Sequence, residues 1–136
     1  MDPSTRWTTE RRKQAKLTVL VIARDDDLRD ALHALLDDLG YAPTAINGPE
    51  RAPPTLSDYS VVFFDIGLAV DPARAFLRLL AARDDAPPVV VCSDRAHAEV
   101  VAEEFGVTSI RKPFDIDRLS AVLDDALSDQ TRPRAR

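Results

Sequence analysis

Three aspartates in a row, Asp25, Asp26 and Asp27, follow closely on the apolar run "VLVI" that begins at residue 19. Carboxylates just after a strand often hold a metal ion or serve phosphate chemistry, because strand ends open into a crevice. A fourth aspartate, Asp65, stands near the end of the apolar stretch "YSVVFFDI". Ser93 ends "PPVVVCS", and "KPF" (Lys112, Pro113, Phe114) follows soon after "VTSI". An acid, a hydroxyl and a cation thus stand at or just beyond the ends of successive apolar runs. The single cysteine, Cys92, has no partner for an internal disulfide and reads as a buried thiol. His33 and His97 read as exposed helix residues, since neither has a Cys or His neighbour at metal-ligand spacing.

The elements that must position these residues alternate. "LTVLVI" (17–22) is short, apolar and β-branched, as a strand buried on both faces should be. Leu28, Ala31, Leu32, Leu35, Leu36 and Leu39 then recur at helical spacing, and Gly40 ends that helix. "APTAI" (42–46) suits an edge strand, where Pro43 is tolerated. A second helix is expected next, but Pro53 and Pro54 each remove a donor and restrict the preceding residue. That helix is therefore expected to be shortened or absent within 47–56. Residues 59–66 read as a second buried strand, and 72–82 as a helix with Pro72 in its first turn. "PPVVVCS" is a third buried strand, 95–105 a helix closed by Gly106, and 107–110 a short strand. Asp115 N-caps a last helix that carries Ile116, Leu119, Val122, Leu123 and Leu127. This alternation predicts an α/β fold: a doubly wound, five-stranded parallel sheet with helices on both faces and its site outside the strand C-termini.

Composition narrows the function. A chain of 136 residues is long enough for one domain with one core. A formal net charge of −5 argues against a general nucleic-acid binder. No apolar stretch approaches about 18 residues, so no membrane span is expected. The first 16 residues are too polar for a signal peptide, and a soluble cytoplasmic protein is the expectation. Residues 1–16 read as a flexible N-terminal arm, with Trp7 as a conceivable anchor, 17–128 as the domain, and 129–136 as a flexible, basic tail.

In this order and spacing, "VLVI" before a charged turn, "LRDALHALLDDLGY", "DYSVVFFDI", "PPVVVCS" and "KPF" resemble the receiver domain of two-component response regulators. The resemblance covers about residues 17–128. It implies the flavodoxin-like strand order 2-1-3-4-5, which chemotaxis receivers share. It also implies that Asp65 occupies the phosphoacceptor position, that Ser93 and Lys112 occupy the switch and phosphoryl-contact positions, and that the bond before Pro113 is cis. The family's acidic pair, which binds Mg²⁺ together with the phosphoacceptor, falls at Ala23 and Arg24 when counted without gaps. Asp25, Asp26 and Asp27 then begin the first helix, where carboxylates cap free amides and complement the helix dipole. A two-residue slip would make Asp25 and Asp26 the pair, at the expense of the helix register.

The departures have consequences for chemistry. Mg²⁺ takes near-octahedral oxygen coordination, and this sequence removes two donors and adds a guanidinium. Two like unit charges about 4 Å apart repel by roughly 4 kcal/mol at an effective dielectric near 20. Arg24 has two placements open to it: paired with Asp65 as a built-in cation, or turned into solvent. "IGLAVDPARAF" after Asp65 lacks the family's Pro and Asp-Gly, and Ser109 or Ile110 stands where an aromatic switch would lie. The expectation is a stand-alone, atypical receiver that is not an enzyme, needs no cofactor and signals by protein contacts. Its partner would be a histidine kinase or a downstream effector, met through the fourth helix, fifth strand and fifth helix, with homodimer formation an option. The alternative is an active regulator phosphorylated on Asp65 with Mg²⁺. A small flavodoxin-like enzyme or nucleotide binder is disfavoured, because no Gly-rich loop follows the first strand.

Overall fold

The computed structural model describes residues 17–67, 70–129 and 133. Residues 1–16, read as an arm, lie outside the described residues, as does most of the tail. Five parallel strands form one sheet in the order β2-β1-β3-β4-β5. They are β1 (Thr18–Ile22), β2 (Ala42–Ile46), β3 (Val61–Asp65), β4 (Val89–Ser93) and β5 (Thr108–Arg111). Four helices connect or follow them: α1 (Asp26–Asp38), α2 (Val70–Ala81), α3 (His97–Phe105) and α4 (Ile116–Asp129). Among the described residues, no helix is long and apolar enough to cross a membrane.

The side-chain alternation of the strands divides the core into two layers. Leu20, Ile22, Val62, Phe64, Val89 and Val91 meet Leu77 and Leu80 of α2 and Val101 and Phe105 of α3. Val19, Val21, Val61, Phe63, Val90, Cys92 and Ile110 meet Leu32 and Leu36 of α1 and Leu119 and Leu123 of α4. The central strands are apolar on both sides because both faces are covered. β2, with Pro43 in it, lies at an edge and pairs only with β1.

Between β2 and β3 the expected second helix is reduced to a single 3₁₀ turn, Pro49–Arg51. Pro53 and Pro54 end it, as their missing donors require. In the place of a helix face, one side chain, Leu56, enters the α2/α3 layer and is fully buried. Its N–H is received by Asp85 at 3.1 Å, and Arg83 reaches the carbonyl of Pro54 at 2.6 Å. Arg83 and Asp85 also pair with each other at 2.9 Å, so an ion pair after α2 ties down a loop that cannot coil.

Element ends differ modestly from expectation. β3 starts at Val61 rather than 59, because Leu56 and Tyr59 close a turn by backbone hydrogen bond just before it. α3 starts at His97 rather than 95, with no side-chain cap. α4 runs to Asp129, one residue past the expected boundary. His97 is half-buried rather than exposed, and its Nδ1 is enclosed without a hydrogen-bond partner.

Candidate functional site

The register brings the ends of β3, β4 and β5 together. Asp65 lies opposite Cys92, and Ser93 opposite Arg111. Beyond these ends the chain turns sharply, and the turns carry the polar groups. Asp65 is 8% exposed at its side chain, and its two carboxylate oxygens lie 3.2 and 3.3 Å from Lys112 Nζ. Oδ1 also accepts the N–H of Gly67 at 3.3 Å. Gly67 has φ +54°, in the left-handed region that a side chain would strain, and this bend points its N–H back at the carboxylate.

Ser93 is fully buried. Its hydroxyl donates to the Gly67 carbonyl at 3.2 Å and accepts the Arg95 N–H at 3.1 Å. One hydroxyl thereby ties the turn after β3 to the turn after β4. The carbonyl of Ser93 accepts the Lys112 N–H at 2.9 Å, which sets the root of the lysine. The Lys112–Pro113 bond is cis, and Phe114 beyond it packs on Phe63 with ring centroids 6.0 Å apart. Asp65, Ser93, Lys112 and Pro113 therefore form one cluster. Beneath it, burial and the nearby charge of Asp65 push the Cys92 thiol up to about 12.

The end of β1 departs from this pattern. Ala23 is buried and offers no oxygen from its side chain; its N–H donates to Ile46. Arg24 neither pairs with Asp65 nor stands alone in solvent, so both expected placements are corrected. Its guanidinium turns to Glu50 and meets both carboxylate oxygens at 3.2 Å. Gly48 makes room for this pairing, since a Cβ there would collide with the Glu50 carboxylate. Glu50's own backbone N–H and then Arg24 hold its carboxyl below the usual carboxylate range. A second arginine, Arg29, donates to the carbonyls of Ala23 at 2.8 Å and Arg24 at 3.1 Å, and pairs with Asp26. It fastens the turn on which the acidic pair would sit.

Asp25 is the N-cap of α1, accepting the Leu28 N–H at 3.1 Å, and Asp26 and Asp27 fill the first turn. The aspartate run is thus a helix start, and no register slip brings it to Asp65. Arg29 and Glu50 belong to this region without having stood out in the sequence. Glu50 carries a readable signal, an acid beside a glycine at the mouth of the crevice, but its partner depends on how the proline-rich loop folds back.

A cleft of about 140 Å³ opens beside Asp65 between Ala23, Arg24, Gly48, Pro49 and Gly67. In it, Asp65 supplies the one carboxylate, already shared with Lys112. Among the described residues, no three His, Cys, Asp or Glu side chains stand together as a metal site. This donor set does not suit Mg²⁺, which takes several oxygens at near-octahedral geometry.

No family model matches the chain. The transcriptional regulatory protein FixJ of Bradyrhizobium diazoefficiens is 27% identical over 124 residues, covering 87% of this chain and 60% of FixJ. NtrX of Brucella abortus, solved in complex with ATP, superposes with a TM-score of 0.71 at 28% identity, over 85% of this chain and 28% of NtrX. A CheY-like response regulator receiver domain from Methylobacillus flagellatus superposes with a TM-score of 0.65 at 20% identity, over 80% of this chain and 97% of that one. The last likeness speaks for the fold alone. The fold, together with these similarities, makes the chain a receiver domain of the response-regulator class. It spans 60% of the length of FixJ and 28% of that of NtrX.

Proposed function

We propose that this receiver domain acts in two-component signalling through protein contacts, and that Mg²⁺-dependent phosphorylation of Asp65 is lost or weakened. The observation that carries the reading is the end of β1. Ala23 and Arg24 stand where the family's two acids would, and Arg24 is engaged by Glu50 at 3.2 Å. Asp65 keeps a permanent cation, Lys112, so its charge is compensated without metal. The domain then serves as a scaffold with a fixed crevice rather than as an enzyme or a phosphate-driven switch. It needs no cofactor, and its setting is the cytoplasm.

The proposed contact face is α3, β5 and α4, which are the fourth helix, fifth strand and fifth helix when the reduced second helix is counted. Val100 on α3 is 54% exposed there, and Arg111 on β5 reaches Glu99 at 3.0 Å across the same surface. A histidine kinase, a downstream effector or a second copy of the chain would meet it.

A specific observation favours the second reading, an active regulator phosphorylated on Asp65. Asp65, Ser93, Lys112 and the cis bond before Pro113 are all assembled at one crevice. Titration with Mg²⁺, followed by amide chemical shifts around Asp65, separates the two. The proposal expects no saturable response in the millimolar range. A saturable response that Asp65→Asn abolishes would overturn it.

A further inference from the structure

A second cleft, of about 470 Å³, lies on the α1/α4 side of the sheet and falls in the size range of ligand pockets. Its walls are Leu28, Ala31 and Leu35 of α1 and Pro113 and Phe114 before α4, with Lys112 at its inner edge. It is apolar and open to solvent. Its rim is acidic: α1 carries five aspartates against one arginine, Arg29, and that arginine is turned inward to the Ala23 carbonyl and Asp26. Asp27 lies one turn before Ala31 and Asp38 one turn after Leu35, so both flank the cleft along the helix. Both are exposed.

The chain holds a segment of complementary character. Residues 1–16 contain Arg6, Arg11, Arg12, Lys13 and Lys16 against Asp2 and Glu10, together with the only tryptophan, Trp7. The described chain begins beside the cleft. Leu17 packs in the same core layer as α1 and α4, and its carbonyl accepts the Ala42 N–H just after α1 ends. Trp7 is ten residues ahead of Leu17, a reach of about 33 Å if extended and about 15 Å if helical. The stretch of α1 from Leu35 to Leu28 spans only about 10 Å of helix axis.

We infer that residues 6–16 seat on this cleft, with the Trp7 indole between Leu28, Leu35 and Phe114 and the basic side chains against the α1 aspartates. An apolar cleft with an acidic rim takes a basic segment with an aromatic anchor, and this chain supplies one within reach. The seat touches Lys112 and Pro113, so the arm covers the flank of the Asp65 crevice. Any partner using that flank would have to displace it.

The test is Trp7 fluorescence in the full chain, with acrylamide quenching. The inference expects blue-shifted, quencher-protected emission that does not change on dilution. In Ala31→Arg, which puts a cation into the cleft at an exposed position, emission shifts to the red and quenching rises, with circular dichroism unchanged. Asp27→Lys combined with Asp38→Lys moves emission the same way and stands in should Ala31→Arg fail to fold. Solvent-like emission from the wild type overturns the inference. So does protected emission that none of these variants moves. Protected emission lost on dilution assigns the segment to the cleft of a second copy and overturns seating within one chain.

Discussion

The residue with the largest displaced equilibrium is Cys92. Burial first, and the Asp65 charge second, push its thiol from 9.0 to about 12. The sign of its contribution follows from linkage. Above pH 9 the unfolded chain releases the thiol proton while the folded chain keeps it, so stability falls as pH rises and the fall continues to about 12. Relative to Cys92→Ala, the wild type should lose an extra amount on the order of 1.4 kcal/mol between pH 8 and pH 10 in urea unfolding. Parallel pH profiles for the two proteins would sink this account of the thiol. At the end of β1, Ala23→Asp with Arg24→Asp removes the Glu50 partner and places two carboxylates beside Asp65. Isothermal titration should then detect Mg²⁺ binding that the wild type lacks. Asp65, Ser93, Lys112 and the cis bond at Pro113 were legible from sequence because each stands at or just past the end of an apolar run. The direction of Arg24 was not, because its partner lies 26 residues away in a loop without a periodic pattern.

At the scale of elements, the connection between β2 and β3 is the unusual part. Pro53 and Pro54 announce in the sequence that a helix cannot form, and a lone 3₁₀ turn is what remains. What replaces the helix was not legible: Leu56 gives no periodic signal, yet it fills the core alone. Leu56→Ala should therefore destabilise the domain by about 2–5 kcal/mol, the usual cost of a leucine-sized cavity, measured by denaturant unfolding. Asp85→Asn should lower Tm. It removes the ionic partner of Arg83 and weakens the acceptor of the Leu56 N–H. Arg83 is the cause of the lowered Asp85 pKa, with the Leu56 N–H second. This contribution is present at neutral pH and lost as pH falls through the depressed Asp85 value. An unchanged Tm for Asp85→Asn at neutral pH would mean that the loop is held by Leu56 alone.

For the whole molecule, strand order and the two helical layers follow from five short apolar runs alternating with amphipathic segments. The sequence therefore carried the fold nearly complete, with α3 and β3 displaced at their starts by one or two residues. The site was legible only as far as those strands fix it. Its remaining wall is built by the proline-rich loop, whose fold depends on contacts with Arg83 and Asp85. The central claim is that a phosphorylation crevice is assembled around Asp65 but lacks the oxygen donors for Mg²⁺. The most direct measurement is intact mass, with peptide mapping, after incubation with acetyl phosphate and Mg²⁺. The expected result is an unmodified wild type and a phosphoryl adduct on Asp65 in the Ala23→Asp, Arg24→Asp variant. Labelling of wild-type Asp65 as fast as in that variant would contradict the claim.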